Sequence, residues 1–232
     1  MQVAWRTVLI VIACGWALIG LADQTVLPNY AKTQRDVFWE SLYPGGGYTF
    51  YCGEKFTVRQ HTTQDNALSI EHIVPAQRMV ELFGCGSRSA CRASSVRFNR
   101  MEADMHNMYP ALKSVNSSRQ DLDYGIISGN TPNFANKTDA TGAPVSYAQC
   151  DFERTSARVE PREVTKGNIA RAYFYMMQEY GLAVPDETKA LLQQWNRADP
   201  PTCSEMRRNN TIERIQGTRN RFIDQPHFAD DL

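Results

Sequence analysis

Ser69-Ile70-Glu71-His72-Ile73-Val74-Pro75-Ala76 ends a short apolar run with an acid and a histidine side by side, and Pro75 stops any strand three residues later. Neighbouring residues on a strand point to opposite faces. Where a strand end frays, the backbone can turn and bring both side chains to one site. A carboxylate suited to a hard cation, beside an imidazole able to activate water, is a minimal apparatus for phosphodiester hydrolysis. The chain holds four histidines, His61, His72, His106 and His227, so the choice of base is narrow. The plainer reading makes His72 a buried, hydrogen-bonded histidine.

Working outward, Leu68 to His72 reads as a strand, and the aromatic-rich Tyr48 to Cys52 as another. Asn29 to Leu42 reads as a helix capped by Asn29, broken by Pro44-Gly45-Gly46-Gly47. Ser94 or Ser95 caps a helix running to Asn107, which Pro110 stops. Leu112 to Pro144 is rich in Asn, Ser, Gly and Thr and reads mostly as loop. Gly167 to Tyr180 carries Ile169, Ala172, Tyr173, Met176 and Tyr180 at helical spacing, a core-packing stripe that Gly181 ends. Asp186 to Arg197, capped by Asp186, and Ser204 to Gln216, followed by Gly217, read as two more helices. Helices outnumber strands, and the strands cluster before residue 75. The pattern predicts one mostly helical α+β domain over 23–232 with a small antiparallel sheet.

Composition is that of an ordinary globular chain: 232 residues, 42% hydrophobic and 22% charged. The 25 Lys and Arg balance the 25 Asp and Glu, so the total charge does not announce a nucleic-acid binder. A local patch can differ from the total. From His72 to Arg119 seven basic residues face three acidic ones, a net of +4 that leaves −4 for the remainder. Arg6 precedes the uncharged Thr7–Ala22 run, which ends Gly20-Leu21-Ala22. That layout predicts a secretory signal peptide over 1–22 cleaved near Ala22, hence a periplasmic or secreted protein without lasting membrane association. Export would leave Cys52, Cys85, Cys91, Cys150 and Cys203 where disulfides persist. Cys85 and Cys91 close a small loop and are expected to pair. The other three supply at most one further bridge, and their partners stay open.

Three more pieces bear on the site. Arg88 lies inside the Cys85–Cys91 loop, and its planar fork suits two phosphate oxygens. Glu102 and His106 are four apart on a predicted helix and share a face, as a zinc half-site or as a pair buttressing another histidine. Asn116 offers an amide oxygen to Mg²⁺ or Ca²⁺.

Together these stretches resemble the bacterial endonuclease I family, exported DNases of the ββα-metal (His-Me finger) superfamily. The matching segments are Glu71 to Ala76, Arg100 to Met108, Val115-Asn116 with Arg119, Gly167 to Met176, Trp195-Asn196, Glu213 to Gly217, and Arg219-Asn220. The resemblance implies that Glu71 and Asn116 hold Mg²⁺, with Ca²⁺ or Mn²⁺ as substitutes, and that His72 is the general base. It implies that Arg88 contacts phosphate, that Glu102 is an acid near the site, and that the products carry a 5′-phosphate. Arg119 and Arg100 are candidate substrate-phosphate contacts. DNA, or RNA, would be the substrate of a monomer with little sequence preference. This chain departs from the family at Ser69, where a glutamate is usual, at Ile70, where a tryptophan is usual, and at Glu54, the second position of a Cys-Gly-Cys. Two other readings remain: a zinc hydrolase using His72, Glu102 and His106, and a disulfide-stapled exported binding protein without activity.

Overall fold

The computed structural model describes residues 23–57 and 67–232. The signal expected over 1–22 and His61 lie outside the described residues.

Two antiparallel strands form the centre. β3 (Leu68–His72) pairs with β4 (Met108–Leu112) in a register that matches Leu68 with Leu112, Ile70 with Pro110, and His72 with Met108. Pairing persists to His72, so the strand does not fray there. β4 departs from expectation, because Pro110 sits inside a strand instead of ending a helix. The Pro110 carbonyl turns away from β3 and accepts from the Phe50 N–H at 2.7 Å. Proline's missing N–H therefore falls on the side where the β3 ladder needs no donor.

Helix α5 (Lys113–Arg119) follows β4 directly and packs against both strands. It occupies the start of the segment expected to be loop. Its few apolar residues give a weak periodic signal, yet Val115 and Arg119 are buried. Between β3 and β4 lie α2 (Ala76–Phe83), α3 (Arg88–Ser94) and α4 (Val96–Glu102). The Ser87 hydroxyl caps α3 by accepting from the Ala90 N–H, and Ser95 caps α4 through Phe98 N–H. The helix expected from Ser95 to Asn107 thus breaks after Glu102, and a single 3₁₀ turn, Met105–Asn107, leads into β4.

Elsewhere, α1 (Tyr30–Thr33) begins at the Asn29 cap and widens into a π-helical segment, Gln34–Leu42. Only Tyr48 of the expected Tyr48–Cys52 strand is extended, in the two-residue pair β1 (Gly47–Tyr48) and β2 (Lys55–Phe56); a turn follows, closed by Gly53 N–H to Thr49 O. A second sheet, β5 (Asp123–Tyr124), β6 (Phe152–Arg154) and β7 (Arg158–Pro161), has order β5-β7-β6 with β5 and β7 parallel. So the strands do not cluster before residue 75, and one sheet is mixed. Helices α6 (Lys166–Tyr180), α7 (Asp186–Ala198) and α8 (Cys203–Gln216) follow, with short α9 (Arg221–Asp224) after them. Gly181 and Gly217 end α6 and α8 at φ +74° and +80°, a conformation glycine adopts without cost. Asp186 is the first residue of α7 and Pro185 occupies the cap position, so Asp186 is not the cap. A core from Phe38 through Ile73, Phe98, Phe152 and Phe174 to Phe222 joins these parts into one α+β unit. Cys85 pairs with Cys91 as expected, Cys52 bridges to Cys150, and Cys203 is a free, exposed thiol.

Candidate active site

After His72 the chain meets Pro75 and turns into α2, whose first residues form one wall of a cleft of about 310 Å³. β3 contributes Glu71 and His72, α5 contributes Asn116 and Arg119, and α3 contributes Arg88. Tyr30 of α1 lines it too. Five of the side chains expected at a site, drawn from three separate stretches of sequence, therefore share one cleft. Glu71 and His72 reach it because the strand ends beside it, without fraying.

His72 is buried, and its Nε2 lies 2.8 Å from the Glu102 carbonyl oxygen. Glu102 is the last residue of α4, where a helix leaves carbonyls without internal partners. A carbonyl only accepts, so Nε2 carries the proton and Nδ1 is the basic nitrogen. The Tyr30 ring packs against the imidazole, with centroids 5.1 Å apart. Burial lowers the His72 pKa to about 4; the Glu102 carbonyl opposes the shift, and the Arg88 and Arg92 charges add to it. The imidazole is therefore neutral near pH 7, the state a general base needs.

Glu71 is 2% exposed. Its Oε1 accepts from the Tyr51 hydroxyl at 2.7 Å and lies 3.1 Å from Arg119 Nη1. Burial pushes its carboxyl above the usual range, while Arg119 and the Tyr51 hydroxyl pull it down. Asn116 Nδ2 donates to Ser69 Oγ at 3.0 Å and to the Ile70 carbonyl at 3.1 Å. Ser69, at the position where a glutamate was expected, thus fixes which way the amide faces. One carboxylate oxygen, Glu71 Oε2, and one amide oxygen, Asn116 Oδ1, are left without protein partners among the described residues.

Glu102 acts through its backbone at His72. Its carboxylate, fully buried, is gripped by Arg88 Nε and by Arg92, at 2.7 Å from Nε and 2.9 Å from Nη2. It holds Arg88 at the cleft with about two-fifths of that side chain exposed. Arg92 did not stand out in the sequence, although it lies four residues from Arg88 on what proves to be a helix. Arg119 is not placed for substrate. It is 1% exposed, and its guanidinium donates to the His72 carbonyl at 3.1 Å and the Ile73 carbonyl at 2.8 Å. Arg100 does not line the cleft. Tyr51 and Tyr124, also missed, lie behind Glu71 with their hydroxyls 2.6 Å apart. No spacing rule links residues that far apart, and only the aromatic richness around Tyr51 hinted at a role.

The free oxygens suit a hard cation, since Mg²⁺ takes few protein ligands and keeps several waters. The zinc set is not assembled. His106 Nε2 is 3.0 Å from the Thr218 carbonyl, His72 Nε2 is engaged by Glu102, and the Glu102 carboxylate is held by two arginines. Among the described residues no cluster of three or more His, Cys, Asp or Glu could hold a metal ion.

The family model described as Endonuclease I matches residues 22–227. An extracellular deoxyribonuclease of Aeromonas hydrophila is 31% identical over 230 residues, covering 88% of this chain and 95% of its own length. A periplasmic deoxyribonuclease of the same species is 31% identical over 207 residues, 79% of this chain and 81% of its own length. An extracellular ribonuclease of Bacillus subtilis is 33% identical over 147 residues, 56% of this chain and 46% of its own length.

Proposed function

Because the chain belongs to the endonuclease I family, we propose that it is an exported, Mg²⁺-dependent endonuclease that hydrolyses phosphodiester bonds in DNA to 5′-phosphate products. The observation that carries this reading is the cleft itself. A neutral imidazole with its tautomer fixed stands beside two unengaged oxygen ligands and a guanidinium.

Glu71 and Asn116 would hold the cation, which supplies charge neutralisation at the phosphate oxygens when bound. His72 Nδ1 takes a proton from the attacking water, and the Glu102 carbonyl stabilises the resulting imidazolium through Nε2–H. Arg88 donates to the phosphate as negative charge builds in the transition state. Arg119 keeps the Glu71 carboxylate and the His72 and Ile73 backbone in register with one another. Phosphate contacts carry no sequence information directly, so little sequence preference is expected.

Two features support export: the relatives named extracellular or periplasmic, and the two disulfides among the described residues. No helix among the described residues is long and apolar enough to cross a membrane. Nothing in the cleft calls on a second subunit, so the working unit is taken as a monomer.

A plasmid-nicking assay tests the reading. Nicked and then linear plasmid should form with Mg²⁺, EDTA should stop cleavage, and excess Mg²⁺ should restore it. Ligation of the products without added kinase would confirm the 5′-phosphate. Cleavage that resists EDTA, or that only zinc restores, would overturn the proposal. An RNA of similar length, assayed alongside, separates the two substrate classes that the relatives' names contain.

A further inference from the structure

The surroundings of the Glu71 carboxylate are asymmetric. Oε1 takes the Tyr51 hydroxyl at 2.7 Å and the Arg119 charge at 3.1 Å. The Tyr124 hydroxyl is 2.6 Å from that of Tyr51, and the Tyr124 ring lies under the Arg119 guanidinium, 4.7 Å from its centroid. Arg119 is in turn fixed by the carbonyls of His72 and Ile73, the two residues after Glu71. Tyr51, Tyr124, Arg119 and Glu71 are all buried, so the arrangement closes on itself out of water. Among the described residues nothing comparable reaches Oε2.

We propose that this buried ring of Tyr51, Tyr124 and Arg119 makes Glu71 a one-oxygen ligand, and so selects a small octahedral cation over a large one. Ca²⁺ takes six to eight oxygens and often binds both oxygens of one carboxylate, whereas Mg²⁺ demands a near-ideal octahedron. A carboxylate with one oxygen already held cannot swing to present the other. Rotating Oε1 toward a cation would break two buried contacts, taking from the Tyr51 hydroxyl its carboxylate acceptor and from the buried Arg119 charge its counter-ion, a loss that costs more than a surface hydrogen bond. The ring therefore positions Glu71; none of its members touches the reacting atoms. This role presupposes that Glu71 holds the cation.

The test uses the folded chain without nucleic acid. Melting temperature is followed against the concentration of Mg²⁺ and, separately, Ca²⁺, which gives an apparent Kd for each. Tyr51→Phe, which frees Oε1 from its hydroxyl donor, should shift the Kd ratio toward Ca²⁺ by about tenfold or more. Tyr124→Phe leaves the Tyr51 donor without its brace and should shift the ratio the same way by about twofold or more. Ratios unchanged in both variants, or both affinities weakened by one common factor, would overturn the proposal. If Tyr51→Phe does not fold, Tyr124→Phe decides by its own threshold. Glu71→Gln separates the two levels. Loss of binding by that variant keeps Glu71 as the ligand whatever the tyrosines show; wild-type binding of both cations removes Glu71 from the site and the ring's role with it.

Discussion

His72 is constrained on two sides, by the Glu102 carbonyl at Nε2 and by the Tyr30 ring against its face. Its removal should therefore affect proton transfer more than substrate binding. His72→Ala is expected to lower the cleavage rate by about 10²–10⁴-fold with DNA affinity little changed, as checked by single-turnover nicking and a binding titration on one preparation. At this scale the sequence was informative where residue type determines chemistry: Glu71, His72, Arg88 and Asn116 line one cleft. It misled at Arg119 because charge says nothing of burial. The signal existed, since Arg119 follows the apolar Val115 by four and so shares its buried face once the segment is helical. Arg100 had no such clue, and it does not line the cleft.

Elements were legible where apolar residues recur, as in α6, and obscure where polar side chains do the packing. α3 buries only Cys91, and α5 buries Val115 and Arg119. Neither presents an apolar stripe for a periodicity reading to find. Three of the C-terminal helices are joined through a single cation. Arg171 of α6 donates from Nε and Nη2 to the Glu205 carboxylate of α8, each at 2.7 Å, and from Nη1 to Asn196 Oδ1 of α7 at 3.1 Å. Both Arg171 and Glu205 are almost wholly buried. Removing one partner of a buried pair strands the other, at a cost of about 3–5 kcal/mol. Arg171→Ala should move the urea midpoint down accordingly, and a midpoint within experimental error of wild type would show that water replaces the guanidinium. The cost is to stability; the cleft lies elsewhere.

For the whole molecule, acid is the expected weakness. Burial lowers His72 and His106 to about 4, against an ordinary value of 6.5. Between those values the unfolded chain binds protons that the native state does not, so stability falls as pH falls. From pH 7 to pH 5 each histidine should withdraw on the order of 1–2 kcal/mol. Glu71, raised by burial, works in the opposite sense and softens the loss. Urea denaturation at the two pH values measures the balance, and equal midpoints would contradict it. Composition could not show this, because it depends on which histidines are enclosed.

The bridge between Cys52 and Cys150 spans 98 residues and encloses Glu71, His72, Arg88, Glu102 and Asn116. Every side chain assigned to catalysis therefore sits in one covalent loop, with the chain ends outside it. A protease that cuts one peptide bond within that loop opens a ring without severing a chain, and the two pieces remain tethered around the cleft. Where proteases are present, that arrangement lets a first cut fall on this region without scattering its parts.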